Sequence, residues 1–448
     1  MKKIIILIIL CISHAKLAYG QEKKDSVKES IWTNHFQFTT IVQSHSGFHS
    51  KYSGRNSLAD SVETGATTVT ATLFLGRKLW KGASVIFNPE LSGGRGLSSA
   101  TGVAGALNGE SYRVGNTSPA IFIARAYFQQ IFALRNTDYE TVADDVNQIA
   151  GKIPVNRITI SAGKFALGDF FDDNKLSHDP RTQFINWSLM ANGAWDYPAN
   201  TRGYTMGVAV ELVKPKWAFR FSSVAVPRIA NAPKLEYNFS KAHSETLEIE
   251  RKLKFNERKG SFRVLISNTL SKAPSYTEGL KAIANNNTFL LDVISGKKEG
   301  NTYGGKKFGI GYSFDQELTK DISVFNRASW NDGKYATWAF TEIDQTASAG
   351  ISLKGTKWNR PEDTFGLATV LNGISKNHQD FLKAGGYGFI IGDGNLNYGN
   401  EMIIETYYNI HLLKYFWLTA DYQFVNNPGY NKDRGPVHVF ALRGHIEF

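Results

Sequence analysis

Between Gly163 and Tyr204 the chain gathers the side chains best suited to chemistry. Asp169, Asp172 and Asp173 come first, then Asp179, Arg181 and Trp187, then Asn192, Trp195, Asp196 and Arg202. Carboxylates, guanidiniums and amides can make paired hydrogen bonds to neighbouring hydroxyls, and indoles offer a flat apolar surface to a sugar ring. Arg181, Trp187, Trp195, Asp196 and Arg202 supply both kinds of contact. The plainer alternative for each tryptophan is loop packing or a place at a membrane boundary, where Trp is enriched. The acidic cluster also suits calcium, which takes oxygen ligands. Phe171 and Leu176, however, fall where an EF-hand-like loop needs oxygens or glycine. A hydrogen-bonded loop capped by Asp and Asn is therefore the better reading, and no metal is expected.

Two other stretches join this set. Asn88 to Gly96 is glycine-rich and carries Glu90 and Arg95. It lacks the Lys-Ser/Thr of a phosphate loop and opens no helix, so it reads as a strand end turning into a loop. Trp330-Asn331-Asp332-Gly333-Lys334 reads as a tight hairpin with Asp-Gly at its turn. Trp338 and Glu342 follow it, and Glu342 and Asp344 share one face of the expected strand. Enzymatic chemistry has little support. No serine sits in a nucleophile elbow, no histidine pair has metal-ligand spacing, and the 10 histidines are scattered.

The elements that must position these residues begin after a leader. Lys2 and Lys3, an apolar run from Ile4 to Ile12, and Ala18 and Gly20 ahead of Gln21 read as a secretory signal peptide over residues 1–20. The single cysteine, Cys11, lies within it behind Leu10, which is not the small residue a lipoprotein site needs. The exported chain thus has no disulfide or thiolate. Residues 21–448 are expected to form one domain. No later segment is a continuous apolar membrane helix. Aromatics make up 13%, glycines number 41, and the mean hydropathy is −0.27. This suits a transmembrane barrel, whose strands are apolar only at alternate positions. The formal charge of +11 is spread out rather than clustered, which argues against a nucleic-acid partner.

Period-two alternation recurs along the chain. Val69, Ala71, Leu73 and Leu75 alternate with Thr68, Thr70 and Thr72. Leu247, Ile249, Leu253 and Phe255 alternate with Glu248, Glu250, Lys252 and Lys254. Leu418, Ala420, Tyr422 and Phe424 alternate with Thr419, Asp421 and Gln423. Each strand thus has one apolar and one polar face. Strands near 36–43, 67–77, 82–91, 119–133, 155–165, 203–213, 216–226, 244–257, 260–272, 305–318, 322–331, 334–352, 362–375, 399–412, 415–426 and 435–448 number about sixteen, an even count as bacterial barrels require. Long and short gaps tend to alternate, matching long extracellular loops opposite short periplasmic turns. Two gaps break the rule. Residues 134–154 are too long for a turn and are expected to hold a short helix from Asp144 to Ala150, and Gly333 marks a very tight loop. The last strand places Phe440, Leu442, Ile446 and Phe448 toward lipid, and Arg443, His445 and Glu447 toward the lumen. The fold class is all-β: a transmembrane antiparallel barrel of a Gram-negative outer membrane.

The stretch from Gly163 to Glu211, including Gly163-Lys164-Phe165, Phe171-Asp172-Asp173-Asn174, Asp179-Pro180-Arg181-Thr182-Gln183-Phe184 and Gly193-Ala194-Trp195-Asp196-Tyr197-Pro198, resembles the OprB-type carbohydrate-selective porins. So do Tyr52-Ser53-Gly54, Asn88-Pro89-Glu90-Leu91, Trp338-Ala339-Phe340-Thr341-Glu342, Trp358 to Asp363, Leu396 to Gly399 and Arg434 to His438. The likeness spans nearly all of the exported chain and is weakest over 227–304. It implies a sixteen-stranded barrel for passive diffusion of glucose and related sugars, needing no cofactor. In general porins the third extracellular loop narrows the lumen, and 166–202 holds that ordinal position. The expected partners are small sugars, outer-membrane lipid and the barrel-assembly machinery, which would read the terminal Phe448; a homo-oligomer is left open. The alternatives are a general or anion-preferring porin, and a barrel-embedded hydrolase or a surface receptor with a sealed lumen.

Overall fold

The computed structural model describes residues 29–111 and 117–448, so the leader over 1–20 lies outside the described residues. In chain order the strands are β1 (Trp32–His45), β2 (Glu63–Trp80), β3 (Ala83–Gly94), β4 (Ala120–Ala133), β5 (Tyr139–Val142), β6 (Gly151–Pro154), β7 (Arg157–Phe165), β8 (Thr205–Val213), β9 (Trp217–Val224) and β10 (Val226–Pro227). There follow β11 (Leu235–Glu236), β12 (His243–Phe255), β13 (Arg258–Ser271), β14 (Gly305–Glu317), β15 (Ile322–Asn331), β16 (Gln345–Gly355), β17 (Arg360–Gly373), β18 (Glu401–Leu413), β19 (Phe416–Asn426) and β20 (Val437–Glu447). Sixteen of them form one closed antiparallel barrel, which β1 completes by pairing with β20. The pairs β5–β6 and β10–β11 stand outside it.

Closure leaves no barrel strand with an unpaired edge, and a lipid bilayer demands this because it offers no hydrogen bonds to an open one. The period-two patterns then sort by face. Thr68, Thr70 and Thr72 are buried inside, while Leu73 is exposed outside. Glu248 and Glu250 are buried between the exposed Leu247 and Ile249. Phe440, Leu442 and Phe448 face out, and Arg443 and His445 are buried within. Burial thus selects polar side chains, the reverse of a water-soluble protein, because the apolar solvent lies outside.

Each expected strand corresponds to one barrel strand, with one large correction. The segment 334–344 is a loop, and β16 starts only at Gln345. Asp332-Gly333 therefore opens a long connection and is not a two-residue hairpin turn. The reason is competition for the backbone donors. The amides of Trp338, Ala339 and Phe340 bond the Asp196 carboxylate at 2.8–3.1 Å, so they are not available to a sheet ladder. With that loop restored, the long connections lie at one end of the barrel, with the single exception of the one between β4 and β7.

The second exception, 134–154, remains long but holds no helix from Asp144 to Ala150. It is the β5–β6 hairpin, with a bridge from Asp145 to Gln148. Asn147 has φ 58°, a left-handed conformation that an α-helix does not accommodate. The hairpin folds back toward the barrel. The Asn88 amide donates to Asn147 Oδ1 at 2.8 Å, and Lys78 Nζ donates to the Ala150 carbonyl at 2.8 Å. Asn88 is a fully buried, inward-facing residue in the middle of β3.

At the loop end the connections build their own core. They carry helices α1 (Trp187–Met190), α2 (Tyr276–Ala284), α3 (Thr288–Ile294) and α4 (Lys376–Lys383). Tyr276, Ile294, Ile343, Phe381, Ile391 and Tyr430 pack in one buried cluster. Helix α2 starts at a capping box in which Ser275 and Glu278 satisfy each other's amides. Buried carboxylates pin the inserted loops. Glu401 accepts the amides of Ala104, Gly105 and Gly429, and Glu405 accepts those of Ile185 and Asn186.

Candidate functional site

The lumen at the turn end holds a cavity of about 1300 Å³. Its roof is the third long loop, 166–204, folded inward. Its walls are inward positions of β1, β4, β7 and β8, including Gln37, Arg125, Tyr127, Gln129, Thr159 and Glu211. The β5–β6 hairpin closes part of its mouth through Asp145, Asn147 and Gln148.

Charge is distributed in pairs around this space. Arg125 donates from Nε and Nη2 to both oxygens of Asp169 at 2.7 and 2.5 Å, a two-point contact that fixes the loop's first turn against β4. Arg181 comes down from the roof to Glu90 Oε2 at 2.9 Å, Gln37 Oε1 at 3.0 Å, Thr72 Oγ1 at 3.1 Å and Glu110 Oε1 at 3.4 Å. Asp179 accepts from the Arg181 amide at 2.9 Å. Burial pushes the Asp179 carboxyl up, but the Arg181 charge and amide outweigh it and hold the group below its ordinary range. Asp173 is exposed to the cavity. The cavity lining carries eight carboxylates and seven lysines or arginines, a near balance. Its aromatic component includes Trp187, stacked on Phe340 at 4.5 Å, and Trp195, edge-on to Tyr197 at 5.1 Å.

A lumen of paired charges over a buried aromatic cluster in a sixteen-stranded barrel can be compared with known proteins. The family model described as carbohydrate-selective porin, OprB family, matches residues 56–448. The chain belongs to that family. The porin's fold is also that of solved structures. The high-pH structure of Pseudomonas putida OprB is 16% identical, with 93% of this chain and 94% of that one covered, at a TM-score of 0.66. The outer-membrane channel DcaP of Acinetobacter baumannii is 10% identical, with 96% and 99% covered, at a TM-score of 0.50. A comparison with curated proteins gave no match. The protein is an outer-membrane sugar porin, a passive diffusion channel and not an enzyme. Among the described residues no group of three or more His, Cys, Asp or Glu is placed to hold a metal.

Within the porin, Asp169, Asp172, Asp173, Asp179, Arg181, Trp187 and Trp195 line the cavity. Asp172 also works as a clamp, accepting from Arg327 Nε at 2.9 Å and from the Asn192 amide at 2.7 Å. The other residues singled out in the sequence lie away from the cavity. Asp196 holds the 332–344 loop and lies 3.3 Å from Lys307. Glu342 accepts the amides of Ile390 and Ile391, and it packs on bare Gly388, where a Cβ would collide with the carboxylate. Trp338 is buried and donates to the Pro227 carbonyl at 2.6 Å. Glu90 is buried beneath Arg181 and accepts from Tyr204 and Thr72. Arg202 lies 3.9 Å over the Phe122 ring. Arg95 is exposed beyond β3. Asn192 is buried with both side-chain polar atoms unpartnered among the described residues, as is the Trp195 indole nitrogen.

Sequence reasoning passed over Arg125, Tyr127, Gln129, Thr159, Glu211 and Arg220, all of which line the cavity. Their signal was present in the polar face of each alternating strand. Arg220 alone reaches Glu211, Glu248 and Glu250 at 2.8–3.1 Å. The hairpin residues Asp145, Asn147 and Gln148 carried no such signal, since only the tertiary fold turns a turn-end connection inward.

Proposed function

We propose that neutral, glucose-like sugars cross this porin through the turn-end cavity, with Asp169, Asp173, Asp179 and Arg125 as their principal contacts and the buried Trp187 and Trp195 packing the loop behind them. The observation that carries this reading is the near-even charge of the lining beside aromatic side chains. Paired acids and bases can replace hydroxyl hydration one bond at a time, and neither sign dominates enough to favour an ion. Contacts of this kind bind weakly enough to release, as conduction requires. On this reading residues 1–20 direct export, residues 21–448 form the mature porin, and Phe448 with its outward neighbours marks the chain for the barrel-assembly machinery.

Liposome swelling with glucose, sucrose and an amino acid of similar size tests the proposal. The expected order places glucose well ahead of the amino acid. Equal rates for solutes of equal size would reduce the protein to a general channel, and faster entry of anions would replace the sugar reading with an anion one.

A further inference from the structure

The outward face of the barrel is apolar along most of its strands, and two arginines interrupt it near the turn end. On β2 the outward series runs Leu73, Leu75, Arg77 and Leu79, and on β12 it runs Leu247, Ile249, Arg251, Leu253 and Phe255. Each arginine is paired across the ladder with the tryptophan that opens the neighbouring strand: Arg77 with Trp32, and Arg251 with Trp217. Each guanidinium lies over that indole, 4.8 Å from the Trp32 ring centre and 4.5 Å from the Trp217 ring centre. Both indoles are exposed on the outer surface. Among the described residues neither arginine takes part in an ion pair or a side-chain hydrogen bond.

We infer that these two arginine–tryptophan pairs are binding sites for the phosphate of anionic phospholipids in the periplasmic leaflet. Tryptophan rings settle where acyl chains meet headgroups, so they fix the height of the guanidiniums at the phosphate level. A guanidinium has five donors in a rigid fork that matches phosphate, and an indole face holds it in place without satisfying those donors. An unpaired cation on a lipid-facing strand therefore needs its acceptor from the lipid. The surroundings favour an anionic headgroup over a zwitterionic one, which brings its own ammonium. Lys216 in the β8–β9 turn and Lys252, Lys254, Arg258 and Lys259 at the adjoining ends of β12 and β13 lie at the same rim as Arg251, where Glu257 is already paired with Lys254. Such juxtamembrane cations attract acidic lipid additively. This inference stands whatever solute the lumen passes.

Native mass spectrometry of the mature porin in detergent, with phosphatidylglycerol or phosphatidylethanolamine of equal chain length, tests it. Phosphatidylglycerol should stay bound at activation energies that strip phosphatidylethanolamine. The R77Q/R251Q double variant should retain roughly five-fold less of it, while Lys306→Gln, which removes an outward cation at the opposite rim, should change nothing. Equal retention of the two lipids, or full retention by the double variant, would overturn the assignment. Heat-modifiable gel migration reports whether the double variant folds. If it does not, the single variants R77Q and R251Q decide, each expected to lose one bound lipid and R251K to recover part of the loss.

Discussion

Arg181 joins the roof of the cavity to its wall, and it shows why a residue can line a pore and still be structural. The residue is 5% exposed, and its guanidinium is set against the buried Glu90 and Glu110. Removing one partner of a buried ion pair strands the other, at about 3–5 kcal/mol. Arg181→Ala should therefore lower the temperature at which the barrel loses its compact gel migration, and expose the third loop to protease. Asp169 differs, because its pair with Arg125 lies at the cavity surface. The pair is doubly bonded with side chains 12% and 18% exposed, so Asp169→Asn should cost about 1–2 kcal/mol of stability, less than the fully buried pair. The substitution should weaken sugar block of the ion current by about tenfold, as expected for losing one charge-assisted hydrogen bond. Current noise analysis with added glucose measures the second effect, and unchanged block would remove Asp169 from the sugar path.

At the scale of elements, the loops are held by carboxylates that accept runs of backbone amides. Asp196 takes three from the 332–344 loop, and Glu401 takes three from two different loops. A carboxylate in such a nest compensates amides that no helix or ladder satisfies. Asp196→Ala leaves those donors and Lys307 unpaired. It should free the loop to hydrogen exchange while the sixteen-stranded sheet stays protected. The β5–β6 hairpin acts at the other end. Through Asn147 on Asn88 and Ala150 on Lys78 it lies across the turn-end mouth. Replacing 136–155 with a short turn should raise single-channel conductance and admit larger sugars in swelling assays. Unaltered conductance would mean that the hairpin lies outside the narrowest section.

For the whole molecule, the even charge of the lumen predicts weak ion selectivity. Reversal potentials across a salt gradient should give anion-to-cation permeability ratios near unity, despite the chain's formal charge of +11. The excess cations gather on the turns and loops, where salt screens them within about 10 Å, and not in the conducting space. A strongly anion-selective channel would show that the unequal outer charge controls permeation.

The alternation in 67–77, 244–257 and 415–426 by itself determined strands with one apolar and one polar face, which a soluble sandwich would share, and only closure of β1 on β20 decided the barrel. The count of alternating segments, about sixteen, matches the sixteen barrel strands, and the alternation of long and short gaps supported the antiparallel order. The loop that enters the lumen was expected from its ordinal position as the third long loop, by likeness to general porins, and the hydrogen-bonding groups from Asp169 to Arg202 marked it as the richest segment. The sequence could not separate residues that meet solute from those that pin backbone, since Asp169 and Asp196 have the same chemistry and differ only in what lies opposite. Nor could it reveal that 336–343, which alternates like a strand, would give its amides to Asp196. Those outcomes depend on contacts between residues 44 positions apart for Asp169 and Arg125 and 142 apart for Asp196 and Trp338, and only the folded barrel brings such residues together.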